Sequence, residues 1–149
     1  MEPTALKAII VSMLAWISAH TNYPIQTETP VIAVVPHEYL ESIACKAPCD
    51  VLGIYTDSGV IYIEDTLAIE TNVCAQSVLL HELMHFNQDR AGRFLNMHPL
   101  LRWKLREEEA HAVQKVYLTE HGRSVDFSRN FRLGAFTGDS CGYPQYAGG

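Results

Sequence analysis

Apolar residues at positions 6, 9, 10, 13, 14, 16 and 17 return at three- and four-residue steps, which predicts an amphipathic first helix ending near His20. Val31-Ile32-Ala33-Val34-Val35, bracketed by Pro30 and Pro36, then reads as a short β-rich run, and His37 to Ala44 as a helix. Val51-Leu52-Gly53-Ile54-Tyr55 and Val60-Ile61-Tyr62-Ile63-Glu64 flank Thr56-Asp57-Ser58-Gly59, the pattern of a hairpin. Apolar positions 73, 74, 78, 79, 80, 83, 84 and 86 predict a mostly buried helix, with Thr71 or Asn72 as its N-cap and Gly92 soon after its end. A long second helix is expected from Leu100 to Leu118, which holds no internal Gly or Pro and follows Pro99. Thr119 to Gly122 end it, Ser124 is expected to cap a short helix through Phe131, and residues 134–149 read as an irregular tail.

The 149 residues are enough for one domain with a real hydrophobic core. Charge narrows the partners. With 11 Lys and Arg against 17 Asp and Glu, and basic residues from Arg90 to Arg132 interspersed with acids and aromatics, no nucleic-acid partner is expected. No run approaches the 18 or more apolar residues of a membrane helix, so no membrane span is expected. Ala8 to Ile17 follows Lys7 as a signal-peptide core would, but Glu2 is acidic and Ile17-Ser18-Ala19 makes a poor cleavage site, so the stretch is read as structure.

Within the buried helix stands His81-Glu82-Leu83-Met84-His85, an H-e-x-x-H pattern. Helical residues four apart are neighbours, so both imidazoles can reach one Zn²⁺ at about 2.0–2.1 Å. Glu82 then lies beside the metal, where a carboxylate can take a proton from water. A catalytic zinc needs a third protein ligand and an open position. The extended pattern with a downstream Gly and third His fails, because Gln88 and Ala91 occupy those places. The acids Glu107-Glu108-Glu109 on the second helix are the other source. At 100° per residue, Trp103, Glu107, Ala110, Gln114, Tyr117 and Leu118 share one face, which favours Glu107. Glu109, nearer the side formed by Leu105, Val113 and Val116, stays open as the alternative.

Over residues 71–118 the chain resembles the zincin metallopeptidases of the gluzincin type, whose third ligand is a glutamate and whose second helix often reads E-x-x-A followed by a polar residue. Glu107-Glu108-Glu109-Ala110-His111 is similar to that pattern, with Ala110 as the small residue between helices and His111 where a residue supporting the ligands often sits. The order Cys45-x-x-x-Cys49, hairpin, His81 to His85 and Trp103 to Ala110 also resembles small bacterial proteins with the same motif. The resemblance implies a small single-domain α+β zincin-like fold over residues 1–149. In it the helix of His81 packs on the second long helix and on a short sheet or hairpin. It also implies a zinc-dependent hydrolase acting on peptide or protein substrates, with Glu82 as general base and His81, His85 and Glu107 on the metal. The alternative is a zincin-like metal-binding or regulatory domain without turnover.

In such peptidases an edge strand beside the metal receives the substrate, and residues 60–64 are the candidate. His111, His121, Tyr117 and Tyr143 can each donate to an oxyanion, while His37 and His98 read as surface or turn residues and Gln88, one turn beyond His85, as packing or as lining the site. The four cysteines are expected to form Cys45–Cys49 and Cys74–Cys141 disulfides, in a secreted or periplasmic protein.

Overall fold

A computed structural model describes residues 1–126 and 140–142, and the fold is α+β. Among the described residues four helices, α1 (Pro3–His20), α2 (His37–Ala44), α3 (Val73–Arg90) and α4 (Pro99–Glu120), accompany strands β1 (Val31–Val35), β2 (Gly53–Tyr55) and β3 (Val60–Glu64). The three strands form a mixed sheet in the order β1-β3-β2. β1 runs parallel to β3 with Val31 opposite Val60, and β2 runs antiparallel with Tyr55 opposite Ile61. The expected edge position of residues 60–64 is therefore corrected. β3 is the central strand, because β1 returns through α2 to pair on its far side, and β2 holds the edge that meets α3.

Alternation along β3 sorts its side chains between two faces. Ile61 and Ile63 enter the core beneath α3, whereas Tyr62 lies 5.5 Å from the Tyr39 ring of α2 on the opposite face. The core gathers Ile10, Met13, Leu14 and Ile17 of α1 with Val78, Leu79, Leu80, Leu83 and Met84 of α3 and Leu118 of α4. Trp16 of α1 also packs edge-on against Tyr117 of α4, with ring centroids 5.2 Å apart. By length and composition α1 is long and apolar enough to cross a membrane, as a signal sequence would be, yet its inner face is part of this core.

The helix carrying the motif has well-made ends. Asn72 Oδ1 accepts a hydrogen bond from Ala75 N–H at 3.0 Å, resolving the choice between Thr71 and Asn72. At the other end Gly92 takes a left-handed φ of 62°, which lets Arg93 N–H return to Gln88 O at 2.9 Å.

Ser124 does not cap a helix: Ser124–Asp126 is a strand, β4, paired in parallel with Ser140–Gly142, β5. The rest of the expected helix to Phe131, and the expected tail apart from residues 140–142, lie outside the described residues. Cys45–Cys49 and Cys74–Cys141 are both disulfides, the second joining β5 to the first turn of α3. The two disulfides and the apolar first helix point to an extracytoplasmic or secreted protein.

Candidate metal centre

The facing sides of α3 and α4 supply every group of the site. α3 is apolar around most of its circumference, so His81, Glu82 and His85 are drawn inside with it, and all three are buried. The inward face of α4 is Glu107, Ala110, Gln114, Tyr117 and Leu118, the face expected from the helical repeat apart from Trp103, which is 52% exposed. Ala110, fully buried between its larger neighbours, leaves room for the helices to approach.

The Glu107 carboxylate stands among three imidazoles. Oε2 lies 3.2 Å from His81 Nε2 and 3.5 Å from His111 Nε2, and Oε1 lies 2.8 Å from His85 Nε2. His81, Glu107 and His111 offer ligand atoms all within 4.8 Å of one another, a group that can hold a metal ion. His85 reaches the same carboxylate from its other oxygen. That 2.8 Å approach lacks hydrogen-bond geometry, and among the described residues both His85 Nε2 and Glu107 Oε1 are buried without a hydrogen-bond partner. Unpaired buried donors and acceptors are costly, and nitrogen and carboxylate atoms converging in this way could hold a metal ion.

Glu109, the alternative ligand, points elsewhere. It accepts hydrogen bonds from the Tyr23 hydroxyl and from Gln88 Nε2, and it lies 3.8 Å from Arg93 Nε.

Burial opposes charge on every member of the cluster, and the Glu107 carboxylate decides which member keeps a proton. For His81, burial is outweighed by the adjoining Glu107 and by the charge of Glu82, and its pKa rises from 6.5 to about 9. Burial lowers His85 against the pull of Glu107, and the charge on His81 lowers it further. His111 falls to about 4 through burial and the same His81 charge. Glu107 itself, despite burial, is held well below the carboxylate range by the His81 and His85 rings. Of the three imidazoles, His81 is thus the one favoured to carry a second proton.

Glu82 is 0% exposed, and neither of its oxygens meets a hydrogen-bond partner among the described residues. The Tyr55 backbone faces this carboxylate without reaching hydrogen-bond geometry, and burial drives its pKa well above 4.5. Glycine at residue 53 eases the close approach of β2. A Cβ there would stand 3.3 Å from Glu82 Cγ and 3.1 Å from Ile63 Cδ1.

Tyr55 links this interior to the surface. Its ring centroid is 6.4 Å from that of His85, and on its outer side it lines a cleft of about 560 Å³ with Asp89, Leu95, Met97, Trp103 and Arg106. The cluster lies behind Tyr55 and does not line that cleft. Its most open member is His111, whose side chain is 21% exposed.

Two glutamines complete the arrangement. Gln114 Oε1 is 2.9 Å from His81 Nδ1, and Gln88 Oε1 is 2.8 Å from His85 Nδ1. Gln88 is therefore more than packing, and Gln114 was legible only as a polar residue on the Glu107 face. His37 is likewise more than a surface residue: it bridges Glu64 Oε1 at 2.6 Å and Cys49 O at 2.8 Å. His98 is a turn residue, accepting from Leu100 N–H at the start of α4. Of the expected oxyanion donors, Tyr117 gives its hydroxyl to Gln76 Oε1 and His121 turns back to Tyr117 O, while Tyr143 lies outside the described residues. Comparison with protein-family models, curated proteins and solved structures finds no match to this chain.

Proposed function

We propose that this protein is a zinc-dependent hydrolase of the gluzincin type, cutting peptide bonds in peptide or protein substrates outside the cytoplasm. The observation that carries this reading is Glu82, a fully buried carboxylate with no hydrogen bond among the described residues, beside a convergent set of imidazoles and Glu107. Stability alone gives no reason to keep such a group, since an uncompensated buried carboxylate is costly. His81, His85 and Glu107 would hold the ion. When bound, zinc polarises a carbonyl and lowers the pKa of water to about 7. Glu82 takes the proton of the attacking water as the water oxygen bonds to the carbonyl carbon. It then delivers that proton to the amine nitrogen as the carbon–nitrogen bond breaks.

One observation favours a second reading, a metal-binding domain without turnover. His111 adds a third imidazole to the buried group, and four protein donors would close a tetrahedral zinc to substrate. Hydrolysis of a denatured protein mixture by the zinc-loaded chain separates the two. Activity abolished by chelator and reduced at least about 100-fold in Glu82→Gln, with zinc retained, is the expected result. One tightly held zinc with no hydrolysis of any protein or peptide would leave the second reading standing.

A further inference from the structure

Gln88 and Gln114 make the two histidines of the motif into a matched pair. Gln88 is wholly buried, and its Nε2 lies 3.0 Å from both Arg106 O and Glu109 Oε1. A carbonyl and a carboxylate only accept, so the amide nitrogen must face them and both its protons are committed. The amide oxygen is thereby left toward His85, 2.8 Å from Nδ1, where it can only receive a proton. Gln114 is fixed by a parallel argument. Ser77 donates its hydroxyl to Cys74 O at 2.7 Å and so accepts from Gln114 Nε2 at 3.3 Å, which leaves Gln114 Oε1 to accept from His81 Nδ1 at 2.9 Å.

We infer that Gln88 and Gln114 are positioning residues that hold His85 and His81 protonated at Nδ1, so that both Nε2 atoms are turned to the Glu107 carboxylate and are the ones left for a metal to take. The inference rests on the metal-site reading above for its purpose, but not for its geometry. Each glutamine is anchored from a different direction. Gln114 reaches across from α4 to a histidine of α3. Gln88 sits one turn beyond its own histidine and is locked by Glu109, which Tyr23 holds in turn through its hydroxyl. Glu109 thus acts on the site at third hand, through Gln88 and His85, although it stands apart from the carboxylate that meets the imidazoles. Fixing ring orientation and tautomer in this way supports metal affinity, and its loss typically costs about 10- to 100-fold.

Two measurements test the inference. In nitrogen-labelled, chelator-treated wild type, the neutral His85 ring should carry its proton on Nδ1 by NMR, and a proton on Nε2 would overturn the assignment. In zinc titrations against a chromophoric chelator, Gln88→Leu and Gln114→Leu should each lose about 10- to 100-fold in affinity. Gln114→Glu, which still accepts from Nδ1, should stay within a few-fold of wild type. Undiminished zinc affinity in both leucine variants would overturn the positioning role. A wild type that takes up no zinc would instead defeat the metal-site reading, and the tautomer of His85 would then decide this inference by itself. Should the leucine variants not fold, the wild-type tautomer and Gln114→Glu still provide the decision.

Discussion

Glu82 carries a cost that pH reveals. Its folded pKa is raised well above 4.5, so in the metal-free protein the folded state keeps a proton that the unfolded chain has released. Stability from this group therefore falls as pH rises from 4.5 toward the raised value. Glu82→Gln removes the titration, so its stability relative to wild type should grow with pH by up to about 1.4 kcal/mol per unit. Urea unfolding of both chelator-treated proteins between about pH 5 and 8 measures this, and a pH-independent difference would contradict it. His81 acts in the same direction, over a window that starts higher. Its pKa is raised from 6.5 to about 9, so its contribution is complete below 6.5 and lost as pH climbs through 9. Zinc must displace that proton, and affinity should increase about tenfold per pH unit up to about 9 and then level off. Zinc competition titrations at two or three pH values check the slope; a flat profile would show that His81 gives up no proton to the metal.

At the scale of elements, α3 depends on its cap and on its closeness to β2, and the two can be weakened separately. Asn72→Ala removes the acceptor for Ala75 N–H and should cost about 1 kcal/mol in unfolding experiments while leaving zinc affinity unchanged, since the ligands lie two turns or more beyond. Gly53→Val should be harsher. Its branched side chain would meet Glu82, Ile63 and Val78, already at 3.1–3.3 Å from a Cβ, and should destabilise by about 1–3 kcal/mol. It should also shift Glu82 and so lower any hydrolysis beyond the loss of stability. Equal stability of Gly53→Val and wild type would mean that β2 does not press on α3 as described.

Over the whole molecule, the two disulfides differ in reach. Cys74–Cys141 spans 67 residues and Cys45–Cys49 only 4. On the chain-entropy model the first is worth about 4 kcal/mol and the second about half of that. Cys74→Ala with Cys141→Ala should therefore lower the melting temperature more than Cys45→Ala with Cys49→Ala. Both pairs should still bind zinc, because no cysteine belongs to the cluster. Calorimetry of the two double variants measures the order, and a larger loss from the short loop would contradict it.

Local chemistry was written plainly in the chain. The four-residue spacing of His81 and His85 guarantees that their rings share a helix face, and the repeat along α4 places Glu107, Ala110 and Gln114 on one side. The elements β1 and α2, the hairpin and a cap at Thr71 or Asn72 were legible because turn residues and apolar periods act over a few residues. Pairing was not. A short apolar run does not reveal how many neighbours it has, so the central place of β3 and the strand at Ser124 emerged only when distant segments met. The tertiary structure also divided the acids: Glu107 faces the imidazoles, while Glu109, two residues and about 200° round the helix, is taken by Tyr23 and Gln88. The same holds for His111 and the two glutamines, whose parts depend on how α4 is rotated and shifted against α3. Packing of whole helices fixes those variables, and no local spacing in the sequence encodes them.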